Sequence, residues 1–134
     1  MFKWFRAAKE APLTGAPPIR RQKTYSGQSG YVYQYFYEGC RAAERNSASG
    51  TQYVFRVSSD RRTETNHSIF VAEAAVSAWE QANGRPLNST ERYAIAKLAL
   101  FQAFDERPTP EDAKREVVVE AADVDTFLAA LDIG

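Results

Sequence analysis

The segment Tyr31-Val32-Tyr33-Gln34-Tyr35-Phe36-Tyr37 constrains the fold more than any other part of the chain. In a β-strand successive side chains point to opposite faces, so Tyr31, Tyr33, Tyr35 and Tyr37 line one face and Val32, Gln34 and Phe36 the other. A second run, Tyr53-Val54-Phe55-Arg56-Val57, follows the stretch from Gly39 to Gly50 and reads as the hairpin partner. A sheet face paved with aromatic rings is either half of a hydrophobic core or a platform for a ligand. The alternation alone is compatible with both.

The 134 residues suit a single domain able to bury about two-thirds of its unfolded surface. At 44% hydrophobic and 25% charged residues, the composition is that of an ordinary globular protein. No run approaches the ~18 apolar residues of a membrane span, and no apolar signal-peptide core follows the basic N-terminus. The single Cys40 has no internal disulfide partner and no CxxC neighbour. A reducing, cytoplasmic location is the resulting expectation.

Zero net charge conceals an asymmetry. Residues 1–62 carry eleven basic against four acidic side chains, a net of +7, and residues 63–134 carry six against thirteen, a net of −7. A split of this kind suits an anionic partner, or two halves that attract one another.

Along the chain, residues 1–22 read as a basic and aromatic arm with a Pro-rich linker, followed by one α+β domain over 23–134. Phe2, Trp4 and Phe5 could share a side of a short N-terminal helix, which Pro12, Pro17 and Pro18 would separate from the core. The Gly- and Ser-rich segment from Tyr25 to Gly30 reads as a turn. Asn66 or Ser68 is expected to cap a helix whose buried stripe is Val71, Ala75, Ala78, Trp79 and Ala82, ended by Gly84. Asn88-Ser89-Thr90-Glu91 has capping-box form and opens an apolar helix through Phe104. Val117-Val118-Val119 reads as a strand, and Asp123 as the cap of a last helix that buries Val124, Phe127, Leu128 and Leu131. The predicted order, β-β-α-α-β-α, gives a small, mostly antiparallel three-stranded sheet with helices packed on one face.

Catalytic signals are sparse. His67 is the only histidine and has no nucleophile or acid beside it in sequence. Cys40 reads as a small apolar residue, with Arg41 as a neighbour able to lower its pKa. No phosphate-binding glycine pattern, metal-ligand spacing or cofactor motif is present, so no metal or cofactor is expected. Lys97 interrupts the apolar helix and reads as a snorkelling residue. The chain reads as non-enzymatic, the alternative being an active site assembled from dispersed residues.

The leading functional expectation is a small protein-interaction domain, self-associating or binding another protein through its aromatic side chains. The first alternative is nucleic-acid binding, with Tyr31, Tyr33, Tyr35 and Tyr37 stacking bases while Arg41, Arg56, Arg61 and Arg62 contact phosphate. A second alternative is peripheral membrane association through residues 1–9.

Overall fold

A computed structural model describes residues 11–132. The expected N-terminal helix and membrane-binding arm lie outside these residues. The elements are β1 (Lys23–Ser26), β2 (Val32–Arg45), β3 (Ala48–Ser58), β4 (Thr65–Ala72), α1 (Glu73–Asn83), α2 (Ser89–Glu106), α3 (Pro110–Ala113), β5 (Val117–Val119) and α4 (Ala121–Ala130). The molecule is α+β, but the expected three-stranded sheet is replaced by a curled five-stranded one in the order β1-β2-β3-β4-β5. β1 to β4 form an antiparallel meander, and β5 adds parallel to β4.

Both additional strands have a local explanation. β1 is four residues long and mostly exposed, so Lys23-Thr24-Tyr25-Ser26 carries no apolar alternation and resembles the turn that follows it. In β4, Asn66 and Ser68 have the side chains of helix caps, yet they pair with Arg56 and Val54 of β3. The β-branched and aromatic residues Ile69, Phe70 and Val71 continue that ladder, and the helix starts only at Glu73. Of the expected stripe, Val71, Ala75 and Trp79 are buried, whereas Ala78 and Ala82 are exposed. Tertiary pairing has overridden local capping preference here.

Helix punctuation follows the sequence more closely. Gly84 ends α1 with φ of 71°, a left-handed conformation that glycine adopts without steric cost. Asn88 accepts from the Glu91 backbone N–H at 2.8 Å, and Glu91 accepts from the Asn88 N–H at 3.1 Å. The last helix is also boxed, but with Glu120 as cap and Asp123 as the third residue inside.

One face of the sheet carries Tyr33, Tyr35, Tyr53, Phe55, Val57 and Ile69, all buried. Helix α2 lies over it and contributes Ile95, Leu100 and Phe104. The Tyr33 and Phe104 rings stack at 4.0 Å between centroids, and Tyr25 stacks on Phe101 at 4.2 Å. Polar contacts tie β1 and the turn after it to the end of α2: the Tyr25 hydroxyl donates to Asp105 at 2.7 Å, and the Ser29 hydroxyl to the Phe104 carbonyl at 2.7 Å. The tyrosine alternation is thus mainly core.

Candidate functional site

A single extra residue in β2 reshapes the site. Tyr37 pairs with Phe55, but Gly39 pairs with Val54, which leaves Glu38 as a bulge. Gly39 sits at φ of 123°, and a Cβ there would lie 2.7 Å from the Thr14 carbonyl oxygen. Beyond the bulge the parity of the strand reverses. Cys40 opposes Tyr53 and joins the tyrosine face, and Arg41 opposes Gln52 on the other face. The segment preceding β1 comes alongside: Thr14 and Cys40 exchange backbone hydrogen bonds of 2.9 and 2.8 Å.

Between that segment, β2 and the start of α2 lies a cavity of about 510 Å³. Its walls are mainly aromatic, with Tyr35, Phe36, Tyr37, Tyr53 and Tyr93 around Cys40. Tyr37 and Tyr93 pack with ring centroids 4.7 Å apart. Burial pushes the Tyr35 phenol up to about 12. Tyr53 rises to about 12 through burial and then the nearby Cys40. Tyr37 goes well above the ordinary phenol range through burial and then its hydrogen bond to Cys40. These hydroxyls are therefore protonated near neutral pH, and serve as neutral hydrogen-bonding groups rather than bases.

The rim has a different character. Arg20 pairs with Glu38, whereas Arg21 and Lys23, also on the rim, form no ion pair among the described residues. Lys97 stands one helical turn from Tyr93, its Nζ 6.0 Å from that ring and 5.9 Å from the Phe101 ring. Burial and then the charge of Lys23 lower its pKa. Arg21 and Lys23 on the rim, and Lys97 beside the Tyr93 wall, thus have no carboxylate partner among the described residues.

The expected nucleic-acid residues do not form one surface. Tyr33 and Tyr35 are buried, Tyr37 is half-buried, and only Tyr31 is well exposed, at 39%. Arg56 lies on the opposite sheet face, between Glu38 and Glu64 at 3.0 and 3.4 Å. The bulge carries Arg41 to that same face, where it donates to Gln52 at 2.9 Å and to the Ala11 carbonyl at 3.2 Å. It is therefore turned away from the Cys40 side chain. Arg61 and Arg62 occupy the β3–β4 turn, their backbone N–H groups bonded to Ser58 and Asp60. Sequence reasoning missed the contribution of Tyr53, Tyr93 and Cys40 to a common cavity. Gly39 within an otherwise regular strand was the available signal for the bulge.

A second, smaller cavity of about 260 Å³ lies near the other end of α2, lined by Tyr33, Val57, Ser59, Asp60, Thr63, Thr65, His67 and α3. His67, which lies between the two expected helix caps Asn66 and Ser68, is 3% exposed and belongs to β4. Its imidazole is held down at about 4 by burial, with Arg107 and Lys114 adding to the effect. No group of three or more His, Cys, Asp and Glu among the described residues is placed to hold a metal. No described helix is long and apolar enough to cross a membrane.

No protein-family model, curated protein or solved structure matches the chain.

Proposed function

We propose that this protein is a non-catalytic interaction domain that receives an apolar side chain, flanked by acidic residues, from a protein partner. The observation that carries the reading is the aromatic cavity of about 510 Å³ with Arg21 and Lys23 on its rim and Lys97 beside its Tyr93 wall. Aromatic walls give an apolar anchor large contact area, and the phenol hydroxyls can satisfy one or two polar atoms at its base. The unpaired cations favour an acidic flank and disfavour a basic one. The protonated phenols supply no base, and Cys40 is the one thiol in the lining.

Fluorescence anisotropy of a labelled peptide with one phenylalanine among glutamates tests the proposal, beside a control with lysines in place of the glutamates. The acidic peptide is expected to bind and to weaken with added salt, and the basic one not to bind. Charge reversal at the exposed pair, Arg21→Glu with Lys23→Glu, should weaken binding by about 1–2 kcal/mol while leaving the fold intact. Equal binding of both peptides, or no loss on charge reversal, would overturn the reading. A dimer in sedimentation experiments that dissociates on the same charge reversal would assign the cavity to a second copy of this chain instead.

A further inference from the structure

An apolar stripe crosses the face of the sheet that α2 does not cover. Phe36, Val54 and Phe70 lie there on three adjacent strands, each two residues further along the register than the last: Phe36 opposes Arg56, Val54 opposes Gly39 and Ser68, and Phe70 opposes Gln52. Val118 of β5, opposite Phe70, extends the stripe. The two rings have lids of their own, the Arg20 guanidinium 4.9 Å from the Phe36 centroid and that of Arg45 5.3 Å from the Phe70 centroid. Val54 has a different setting. Its cross-strand neighbours are a glycine without a side chain and a serine with a short one, and it belongs neither to the core cluster nor to its partly buried margin. It is nevertheless only 3% exposed. A valine with such neighbours on an open sheet face keeps its outer side in water, so this one has a cover.

The path of the chain indicates which segment supplies it. Thr14 is bonded to Cys40 at the edge of β2, and Leu13 comes so close to Gly39 that a Cβ on that glycine would stand 3.1 Å from Leu13 Cβ. Gly39 is the residue opposite Val54. Further back along the chain, the Ala11 carbonyl accepts from Arg41 at 3.2 Å. Arg41 belongs to the stripe face, so at Ala11 the chain stands on that side of the sheet. Ten residues of the sequence precede Ala11, among them Phe2, Trp4 and Phe5. Strands lie ~4.8 Å apart, which puts β5 about 14 Å from β2, and ten residues reach about 15 Å even at the short rise of a helix. The segment is therefore long enough to span the stripe.

Tethering decides between this segment and a free partner of similar chemistry. A segment joined to the face by a few residues acts at an effective concentration on the order of millimolar, far above that of a separate molecule. We infer that the stripe formed by Phe36, Val54 and Phe70 is the docking site of this chain's own residues 1–10, with their aromatic side chains seated over Val54. The inference rests on Val54, Leu13 and Ala11, none of which lines the partner cavity, and does not depend on that reading. It also competes with the membrane alternative, since a ring seated on the sheet is not free to enter a lipid surface.

The test uses the full chain and its two tryptophans, Trp4 and Trp79. Trp4 emission is obtained as the difference between the wild-type protein and Trp4→Phe. It is expected to lie to the blue of the denatured chain's emission and to resist acrylamide quenching several-fold better. Nuclear Overhauser contacts from the Phe2, Trp4 or Phe5 rings to the Val54 methyl groups are expected within one molecule. Val54→Asp should return Trp4 to the quenching of the denatured chain, while Trp79, buried in the core, stays shielded. Should that variant fail to fold, the wild-type contacts decide. Trp4 as open to acrylamide in the folded protein as in the denatured one would overturn the inference, as would absence of every ring contact with Val54. So would a folded Val54→Asp variant in which Trp4 stays shielded. Contacts seen only between labelled and unlabelled molecules in a mixed sample would also overturn it, by making this face an interface between copies.

Discussion

The Tyr33 ring lies flat on the Phe104 ring, with centroids 4.0 Å apart and planes 7° from parallel. This contact joins β2 to the C-terminal half of α2, and both residues are fully buried. His67 meets the same Phe104 ring edge-on at 6.0 Å. Phe104 is therefore the piece around which one end of the sheet is packed. Phe104→Ala should lower stability by about 3–5 kcal/mol in denaturant unfolding, since neighbouring rings cannot readily collapse into the space. A loss below about 1 kcal/mol would contradict this packing.

Gly39 offers a test of the bulge. A side chain there meets both the left-handed backbone at φ of 123° and the Thr14 carbonyl oxygen at 2.7 Å. Gly39→Ala should cost on the order of 1–3 kcal/mol and detach the Thr14 bridge. The Cys40 thiol, now half-buried, should then react faster with a thiol reagent. Unchanged stability and unchanged reactivity would show that the bulge does not depend on glycine.

His67 sets an acid limit on stability. Its folded pKa of about 4 lies below the ordinary histidine value near 6.5, so the unfolded chain binds the proton more readily between them. The neutral-imidazole contribution is fully present above about pH 6.5 and is lost as pH falls toward 4. Arg107 and Lys114, the charges acting on the ring, both oppose protonation. Unfolding free energy should fall by on the order of 2–3 kcal/mol between neutral pH and about pH 4.5, and His67→Gln should flatten that slope. A wild-type slope retained in the variant would assign the acid sensitivity to other groups.

Oligonucleotide binding provides a fourth test. With Tyr33 and Tyr35 buried and Arg41 and Arg56 on the opposite face, short DNA and RNA strands should bind no tighter than high micromolar near physiological salt. Tyr33→Ala should act on stability in thermal unfolding. Submicromolar, salt-sensitive binding by the folded wild-type domain would reverse this conclusion.

Legibility in the sequence varied with the physical range of the signal. Asn88 with Glu91, Gly84 and the Val117–Val119 run are local features, and each produced its expected element. β1 and β4 depend on partners elsewhere: Tyr25 lies opposite Tyr33, and His67 opposite Phe55. Their own residues resemble a turn and a helix start. The tyrosine alternation was readable, but whether it faced core or solvent depended on α2 lying over it. The cavity was harder still to read, because one bulged residue reverses the parity that places Cys40 and Arg41.

The parallel pairing of β5 with β4 has a consequence for the order of folding. β1 to β4 can zip together through neighbouring hairpins, whereas Val117–Val119 returns to Ile69–Val71 only after α1, α2 and α3 have intervened. Contacts that close so long a loop form late, since the chain entropy must be lost before they reward it. In pulsed hydrogen exchange during refolding, the β2–β3 amides should gain protection before those of β5. The sheet thus joins a meander of neighbouring hairpins to a last strand that arrives from beyond the helical layer.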